Sequence, residues 1–263
     1  MIRTRNLKFD FSGRKVLVTG ASRGIGLSVA ESFVETGAHV TLLANDECVE
    51  SAAASLSELH GADVSFMVCD IACSDKVERA LDPISNLDIL VNNAGLELLT
   101  PVSDSSPETI AAFERIVSIN VVGTYHVTRA ALKKMKRGGR IVVTASMWGK
   151  TGVAEFGAYC ASKHANIGFV RSLAKELGPL GISVNAVCPG WVRTRASMNS
   201  LAVMSGRQDR DEKSLLNEIT SAQAFGGLME PADLTETYLF LASDAADNIT
   251  GQALTVDRGE LLR

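Results

Sequence analysis

Short apolar runs alternate with longer amphipathic segments along most of the chain. Seven of the runs have the length and the β-branched content of strands, and most are apolar throughout, which is typical of strands covered on both faces. The pattern predicts strands at 15–19, 39–44, 64–69, 88–91, 140–145, 182–187 and 253–256. Because helical segments separate them, we expect an α/β fold, a doubly wound sheet of seven parallel strands with helices on both faces.

The segment between the first two strands has a clear helical period. Ile25, Val29 and Phe33 recur every fourth residue, and Gly37 follows where a helix would end. A later helix is predicted to open at Pro231, because proline fits the first turn, where its missing N–H is not needed. The first two strands and the helix between them therefore form one complete crossover unit.

The chain shows no break between domains. No stretch rich in proline, glycine or serine divides it, so residues 1–263 are predicted to form a single domain. Residues 1–12 match no element and are predicted to form a loose N-terminal arm. Residues 193–223 are the one long irregular stretch, either a solvated helical insertion or a mobile lid, and their place after a strand end favours the lid.

Charge and hydropathy exclude several classes of partner. The chain carries 30 acidic and 26 basic side chains, for a net charge of −4, without a run of lysine or arginine. A nucleic-acid partner is therefore not expected. The apolar runs end well before the roughly 18 residues that a membrane span needs, and the polar N-terminal segment differs from a signal peptide. We expect a cytoplasmic protein with no membrane partner.

The cysteines give no sign of disulfides or of a metal cluster. Cys48, Cys69, Cys73, Cys160 and Cys188 are an odd set, scattered through apolar segments without CxxC spacing. The chain has only 4 histidines, too few to complete a cluster with them. Reduced thiols and no metal site are the expectation.

A glycine-rich turn follows the first predicted strand. Residues 19–26, with the sequence TGASRGIG, lead directly into the first helix. Glycines let the backbone turn sharply and approach a ligand, and a helix start offers free N–H groups and positive dipole charge to a phosphate. Such a turn also occurs as a plain strand-to-helix connection, but its place between a strand and an amphipathic helix favours a dinucleotide pyrophosphate.

This glycine spacing, TGxxxGIG, resembles the short-chain dehydrogenase/reductase family, whose fold is a single Rossmann-type domain. Other family segments follow later strands: Asp70 at the position that touches adenine, the NNAG segment at 92–95, and the Pro189-Gly190 turn beside nicotinamide. Ligands of open α/β sheets bind at the edge where strands end. The resemblance covers almost the whole chain and implies that the cofactor is bound by Gly20, Ser22, Arg23, Gly24, Ile25, Gly26, Asn45, Asp70, Ile71, Asn93, Ala94, Gly95, Tyr159, Lys163, Pro189, Gly190, Val192 and Thr194.

The choice between NAD(H) and NADP(H) depends on charge at the end of the second strand. Ala44 stands where NAD-specific relatives carry aspartate, and the planar donors of Arg23 suit a 2′-phosphate. NADP(H) is therefore favoured. Asp46 lies slightly further along the chain and speaks for NAD(H), which stays possible.

A second group of residues matches the catalytic tetrad of the family. Tyr159 and Lys163 form a YxxxK motif, whose spacing places both side chains on one helix face. Ser146 lies thirteen residues upstream at the end of the fifth predicted strand, and Asn120 matches the fourth position. The resemblance thus implies Asn120, Ser146, Tyr159 and Lys163 as catalytic residues.

The chemistry of hydride transfer explains why such groups are needed. Hydride arriving at a carbonyl carbon leaves an alkoxide, so a proton donor must lie within hydrogen-bond reach. Tyr159 is expected to be that donor, Lys163 to lower the pKa of its phenol, and Ser146 to donate a hydrogen bond to the substrate oxygen. In the family, the lysine also holds the nicotinamide ribose. Asn120 is expected either to hold a water linked to Lys163 or to satisfy backbone groups as a buried amide.

The sequence leaves two roles open for the apolar side chains near these residues. Leu96, Met147, Trp148 and Trp191 are expected to form an apolar wall for substrate or, equally, to pack as ordinary core. His164, next to the motif lysine, is expected to be a packed or hydrogen-bonded helix residue and not a catalyst.

Three functions remain open at this point. The first is an NADP(H)-dependent carbonyl reductase or alcohol dehydrogenase, because the segments around Tyr159 and Pro189 look like bacterial 3-oxoacyl and polyketide ketoreductases. The second is an NAD-dependent dehydrogenase of a sugar or cyclic alcohol. The third is a non-catalytic dinucleotide-binding protein, against which the complete tetrad speaks. The expected partner is thus a small carbonyl or alcohol substrate.

The resemblance also implies a homo-oligomer, either a tetramer or a dimer. Arg258 replaces a glycine of the family's usual Asp-Gly-Gly sequence near the final strand. That strand packs at a subunit interface in the family, so the replacement speaks against the standard tetramer.

Overall fold

The computed structural model describes residues 9–262, and its centre is a parallel sheet of seven strands. The strand order is β3-β2-β1-β4-β5-β6-β7, the doubly wound arrangement expected from the sequence. The bounds are β1 Lys15–Thr19, β2 His39–Ala44, β3 Ser65–Val68, β4 Leu87–Asn92, β5 Met135–Thr144, β6 Ser183–Pro189 and β7 Ala253–Val256.

Helices connect the strands and cover both faces of the sheet. Local sequence signals set several helix starts; in one, Pro107 occupies the first turn and the Ser106 hydroxyl accepts a hydrogen bond from the backbone N–H of Thr109. The bounds are α1 Gly24–Glu35, α2 Cys48–His60, α3 Ser74–Leu81, α4 Pro107–Val117, α5 Thr124–Leu132, α6 Gly157–Leu177, α7 Arg195–Gln208, α8 Glu212–Ser221 and α9 Thr235–Ala242.

Alternate residues of the central strands enter two separate cores. Val16 and Val18 of β1 belong to the core that includes residues of α1, α2 and α9. Leu17 between them belongs to the core that includes residues of α3, α5 and α6. Since successive side chains of a strand point to opposite faces, both faces of β1 must be apolar. This explains the continuous apolar run that identified the strand.

The third and fifth strands differ from the sequence prediction. β3 is an edge strand, and its Phe66 and Val68 are 41% and 51% exposed, so it is not covered on both faces as expected. β5 begins at Met135, five residues before the predicted start, because Met135 pairs with Leu87 ahead of a register shift in β4. The predicted helix at Pro231 begins with a 3₁₀ turn, Pro231–Asp233, and becomes α-helical at Thr235.

The structure describes the end of the predicted N-terminal arm and the whole of the stretch 193–223. The predicted N-terminal arm is not loose where it is described, because Phe11 is buried against Phe33 and its N–H donates to the Thr36 carbonyl. Residues 1–8 of that arm lie outside the described residues. The stretch 193–223 is mainly two helices, α7 and α8, and the Thr194 and Ser197 side chains form a capping box at the start of α7.

Two further features concern the cysteines and the lengths of the helices. Cys48, Cys69, Cys73, Cys160 and Cys188 are all free thiols. Among the described residues, no helix combines the length and the apolar composition required to cross a membrane.

Candidate active site

One large cavity lies along the edge where the parallel strands end. Its volume is about 1250 Å³, above the roughly 300–1000 Å³ of an ordinary small-molecule pocket, so it has room for a dinucleotide and a substrate together. The wall begins at the turn after β1, passes the ends of β4 and β5, and reaches the turn after β6. The strand order reverses between β1 and β4, which is where open α/β sheets bind ligands.

The glycine turn after β1 is fixed by contacts with the end of β4. Gly20 has a φ of +64°, and a Cβ there would lie 2.7 Å from the Ala94 Cα. The Asn93 side-chain amide donates to the carbonyls of Thr19 and Gly20 at 3.1 and 3.2 Å. The Thr19 hydroxyl in turn accepts the N–H groups of Asn93 and Ala94 at 3.0 Å each. Only glycine satisfies both the conformation and the packing at position 20.

The start of α1 faces this cavity and suits an anion. Arg23 is the N-cap residue, and among the described residues no side chain caps the helix and no acid lies in its first turn. Gly24 and Ile25 line the cavity beside it. A helix start left in this state presents N–H donors and positive dipole charge to a pyrophosphate. The donor set and the cavity size therefore fit a dinucleotide.

The predicted phosphate ligand, Arg23, has a carboxylate partner in the structure. Its guanidinium lies 2.8 Å from the Asp46 carboxylate, which also accepts a hydrogen bond from Ser22 at 3.2 Å. Arg23 is half exposed and lines the cavity. A 2′-phosphate at this end would therefore compete with Asp46 for Arg23, whereas a ribose hydroxyl would find a carboxylate already present.

Asp70, predicted to contact adenine, is held by an arginine that the sequence analysis did not identify. The Asp70 carboxylate accepts hydrogen bonds from Arg115 of α4 at 2.7 Å and from the Ala72 N–H at 3.0 Å. Burial raises the pKa of Asp70, but these hydrogen bonds outweigh it and keep the pKa below its usual value. Asp70 therefore lines the cavity as a carboxylate fixed in position.

Tyr159 and Ser146 meet at the far end of the cavity. Ser146 is buried just after β5, and its hydroxyl accepts the N–H of Trp148 at 3.1 Å. Tyr159 lies near the start of α6 and lines the same cavity as Ser146. The Trp148 ring packs edge-on against the Tyr159 ring, with centroids 5.9 Å apart. The contact with Trp148, which follows Ser146 by two residues, therefore holds the phenol ring beside the end of β5.

Lys163 lies one helical turn after Tyr159 and is anchored to the sheet. Its Nζ donates to the Thr144 carbonyl at 2.8 Å and lies 5.4 Å from the centre of the Tyr159 ring. Burial lowers the pKa of Lys163 to about 8, against an opposing effect from Glu97. The ammonium has three donors, so the bond to Thr144 leaves others for a ligand.

The net shift of the Tyr159 pKa is opposite to the lowering expected from Lys163. Burial raises the pKa of Tyr159 well above its usual value, and the Glu97 carboxylate raises it further, while the hydrogen bond with Ser146 lowers it. We expected the opposite direction because the sequence indicated a nearby lysine but neither the burial nor the carboxylate. At neutral pH the phenol is therefore protonated, the state that a proton donor needs.

The Asn120 side chain forms hydrogen bonds with backbone groups and is not part of the described cavity wall. It lies in a π-helical turn, Ser118–Gly123, between α4 and α5. Its side-chain carbonyl accepts the Leu96 N–H at 2.7 Å, and its amide donates to the Leu96 carbonyl and to the Ser162 hydroxyl. Of the two roles expected from the sequence, these contacts agree with the buried amide, which joins the NNAG segment to α6.

The two tryptophans form both a wall and a core. Trp148 contacts Trp191 edge-on at 5.7 Å between centroids, and both belong to a buried cluster that includes Leu201 of α7 and Leu215 of α8. Trp148 and Trp191 also line the cavity, together with Leu96 and Met147. Both interpretations offered by the sequence therefore apply. His164 is exposed on α6 and hydrogen-bonded within the helix, with Nδ1 2.9 Å from the Cys160 carbonyl oxygen.

The predicted site residues mostly come together. Of the predicted cofactor-binding and catalytic residues, Gly26 and Asn120 are missing from the described wall. Gly26 packs inside the turn, because a Cβ there would lie 2.3 Å from the Gly20 carbonyl oxygen. The residues that do line it are Gly20, Ser22, Arg23, Gly24, Ile25, Asn45, Asp70, Ile71, Asn93, Ala94, Gly95, Ser146, Tyr159, Lys163, Pro189, Gly190, Val192 and Thr194.

Other residues of the site were missed by the sequence analysis. Ser200 of α7 lines the cavity and Arg115 of α4 holds Asp70, and no local sequence pattern indicates either contact. The Tyr238 hydroxyl of α9 lies 2.7 Å from the hydroxyl of Thr144, which lines the cavity, and either oxygen can be the donor. Glu97 had a usable signal, since it lies two residues after the NNAG segment.

Comparisons with known proteins agree with this geometry. Residues 20–260 match the family model described as Enoyl-(Acyl carrier protein) reductase. The chain is 34% identical to the 3-oxoacyl-(acyl-carrier-protein) reductase FabG of Chlamydia trachomatis, over 94% of this chain and 96% of the relative. The actinorhodin polyketide ketoreductase, solved with NADPH, superposes with a TM-score of 0.86 at 32% identity and covers 94% and 97% of the two chains. NAD⁺-bound xylitol dehydrogenase superposes with a TM-score of 0.87 at 30% identity, covering 94% and 98%.

Proposed function

Since the chain belongs to the short-chain dehydrogenase/reductase family and is an oxidoreductase of carbonyl or alcohol substrates, we propose that it transfers hydride between NADP(H) and a ketone or secondary alcohol. Tyr159 is the proposed proton donor in reduction and the proton acceptor in oxidation. The observation that carries the proposal is that Ser146, Tyr159 and Lys163 line the same cavity as the glycine turn, with the Lys163 Nζ 5.4 Å from the centre of the Tyr159 ring.

Each residue of the group has a separate task in this proposal. The dinucleotide supplies the hydride, and the turn at 20–25 and the Pro189-Gly190 turn hold its two ends. Ser146 donates a hydrogen bond to the substrate oxygen and orients it toward the Tyr159 hydroxyl. Tyr159 gives its proton to that oxygen as negative charge develops there. Lys163 supplies positive charge in the same cavity and replaces the proton through its remaining donors.

The α7 helix supports a lid role for residues 193–223. Side chains from its first turns line the cavity opposite the NNAG segment, while Leu201 and Leu215 anchor the two helices on the tryptophan cluster. A substrate enclosed there is removed from water, which strengthens the hydrogen bonds that the site makes with it. We therefore include closure of this helical segment over the substrate in the proposed function.

The proposed preference for NADP(H) depends on Arg23, and substitutions there test it. We expect Arg23→Ala to raise the KM for NADPH about tenfold or more, by removing a charge-assisted hydrogen bond to the 2′-phosphate, and to leave the KM for NADH nearly unchanged. Asp46→Asn removes the competing carboxylate and is expected to lower the KM for NADPH. Steady-state kinetics with both cofactors measures these changes.

Arg79→Ala is a suitable control for these cofactor kinetics, because Arg79 is an exposed arginine of α3 outside the cavity wall. An Arg23→Ala enzyme whose KM for NADPH equals that of the control would count heavily against the assignment.

NAD(H) is a second candidate cofactor, and the contact of Asp46 with Ser22 and Arg23 is the observation that favours it. In that case the carboxylate accepts a hydrogen bond from the ribose 2′-hydroxyl, and xylitol dehydrogenase with bound NAD⁺ is a structural precedent. The same kinetics separates the two, because Asp46→Asn would then raise the KM for NADH.

We also propose that the chain forms a homo-oligomer, a dimer or a tetramer. Ile110, Phe113, Val122 and Tyr125, on α4, α5 and the turn between them, are 40–55% exposed, and large exposed apolar groups favour association. Light scattering is expected to give the mass of two or four chains of 27.9 kDa. Phe113→Glu is expected to lower that mass, whereas Leu59→Glu, at an exposed apolar residue of α2, is not. The mass of one chain in the unaltered protein would contradict the proposal.

A further inference from the structure

A carboxylate stands beside the proposed catalytic group without a role in the reaction described above. Glu97 lies in the segment that follows β4, two residues after the NNAG segment, and lines the same cavity as Tyr159, Ser146 and Lys163. Its charge acts on both the Tyr159 phenol and the Lys163 ammonium. The segment that carries Glu97 lies beside Lys163, because a Cβ on Gly95 would be 3.5 Å from the Lys163 Nζ. Glu97 therefore lines the part of the cavity where the reacting carbonyl would lie.

The polar partner of Glu97 comes from the helix that covers the cavity. Burial raises the pKa of Glu97, whereas a hydrogen bond from the Ser200 hydroxyl and the charge of Lys163 lower it. Ser200 is buried on α7, and Asn199 beside it also lines the cavity. A carboxyl group has four lone-pair sites, so one hydroxyl from Ser200 leaves capacity for a further donor.

The charges on this side of the cavity limit what can bind there. A purely apolar chain would displace water from Glu97 without giving it a hydrogen bond, which is costly for a buried charge. An anionic substituent would meet the Glu97 carboxylate, and a cationic one would meet the Lys163 ammonium. A neutral hydroxyl donates a hydrogen bond to the carboxylate without adding charge, so it is the substituent that fits.

We propose that Glu97 is a specificity-determining residue that accepts a hydrogen bond from a substrate hydroxyl near the reacting carbonyl, so that the substrates are neutral hydroxylated ketones and the corresponding polyols. This inference rests on the proposed function, because it names the substrate class of the same site. It distinguishes the protein from an enzyme for acyl chains or keto acids, whose substituents lack a neutral donor at this position.

The test compares three ketones of matched size that carry a hydroxyl, a methyl or a carboxylate group on the carbon next to the carbonyl. Turnover is measured at one slightly alkaline pH with both cofactors, and binding of the three corresponding alcohols is measured by calorimetry. The unaltered enzyme is expected to prefer the hydroxylated compound by at least about tenfold in kcat/KM and in Kd.

Two variants separate the hydrogen bond from the charge. Glu97→Ala is expected to weaken binding of the hydroxylated compound about tenfold, mainly in KM and Kd, because the acceptor is lost. Glu97→Gln keeps an acceptor oxygen but no charge, so it is expected to improve binding of the carboxylate compound. Glu176→Gln is the matched control, since Glu176 is exposed on α6, seventeen residues or roughly 25 Å beyond Tyr159.

The outcomes distinguish this inference from the proposed function. Equal use of the three ketones by the unaltered enzyme, or tighter binding of the carboxylate compound, would overturn the role of Glu97 while leaving the reductase intact. Failure to reduce any of the three ketones with either cofactor would instead contradict the proposed function. The calorimetric ranking still tests Glu97 in that case, and a thermal melt of each variant shows whether its fold is kept.

Discussion

Tyr159→Phe is expected to lower turnover by about 10²–10⁴-fold and to leave the affinity for cofactor nearly unchanged. The substitution removes only the hydroxyl that would protonate the substrate oxygen. The phenyl ring keeps its edge contact with Trp148, so the wall of the cavity and the position of α6 are retained. The measurement is kcat by stopped-flow or steady-state absorbance of the reduced cofactor, together with Kd from fluorescence titration.

Tyr125→Phe is the matched control for that experiment. Tyr125 lies on α5 with half of its surface exposed, and it is not part of the cavity wall. Removing its hydroxyl is expected to change neither turnover nor affinity. Near-normal turnover of the Tyr159→Phe enzyme would remove the proposed proton donor from the account.

Gly26→Ala is expected to destabilise the protein by about 3 kcal/mol, a decrease in Tm of roughly 10 °C, and to weaken cofactor binding. A Cβ at this position would lie 2.3 Å from the Gly20 carbonyl oxygen and 2.5 Å from the Asn93 side-chain nitrogen. The Gly20 oxygen is a backbone atom, and the Asn93 amide is hydrogen-bonded to the same turn. Displacing either of them therefore costs free energy. The turn that faces the cofactor must therefore shift to make room for the added Cβ.

Gly168→Ala is a matched substitution for which we expect a gain in stability instead of a loss. Gly168 is exposed in α6, has a helical conformation and has no atom within 4 Å of an added Cβ. Alanine there is expected to stabilise the helix by about 0.5–1 kcal/mol, because it restricts the unfolded chain. Thermal unfolding of the two variants in parallel checks both directions. Equal Tm values would show that the turn at Gly20 does not need glycine at position 26.

The fold could be predicted because its signals are local and repeated. Runs such as residues 16–18 are buried on both faces, so they are continuously apolar and separable from the helical period that follows. Boundaries were less predictable where tertiary contacts decide them. Met135 extends β5 only because it pairs with Leu87, and the two helices within 193–223 are stabilised by contacts with distant tryptophans.

The site could be predicted in part for the same reason. Glycine turns and the YxxxK spacing are sequence patterns, and the structure places Gly20, Tyr159 and Lys163 on one cavity. Electrostatic effects were not predictable, because they depend on burial and on charges brought together by folding. Burial raises the pKa of Tyr159 and the Glu97 carboxylate raises it further, whereas the sequence indicated only a lysine four residues away.

The central claim is that Tyr159 protonates a carbonyl oxygen whose carbon receives hydride from the bound cofactor. Single turnovers with reduced cofactor that carries deuterium at both hydrogen positions of the transferring nicotinamide carbon test it most directly. We expect one deuterium on the carbinol carbon of the product for each cofactor oxidised, and a rate at least about 100-fold lower in Tyr159→Phe. Product without deuterium, or an equal rate in the variant, would contradict the account.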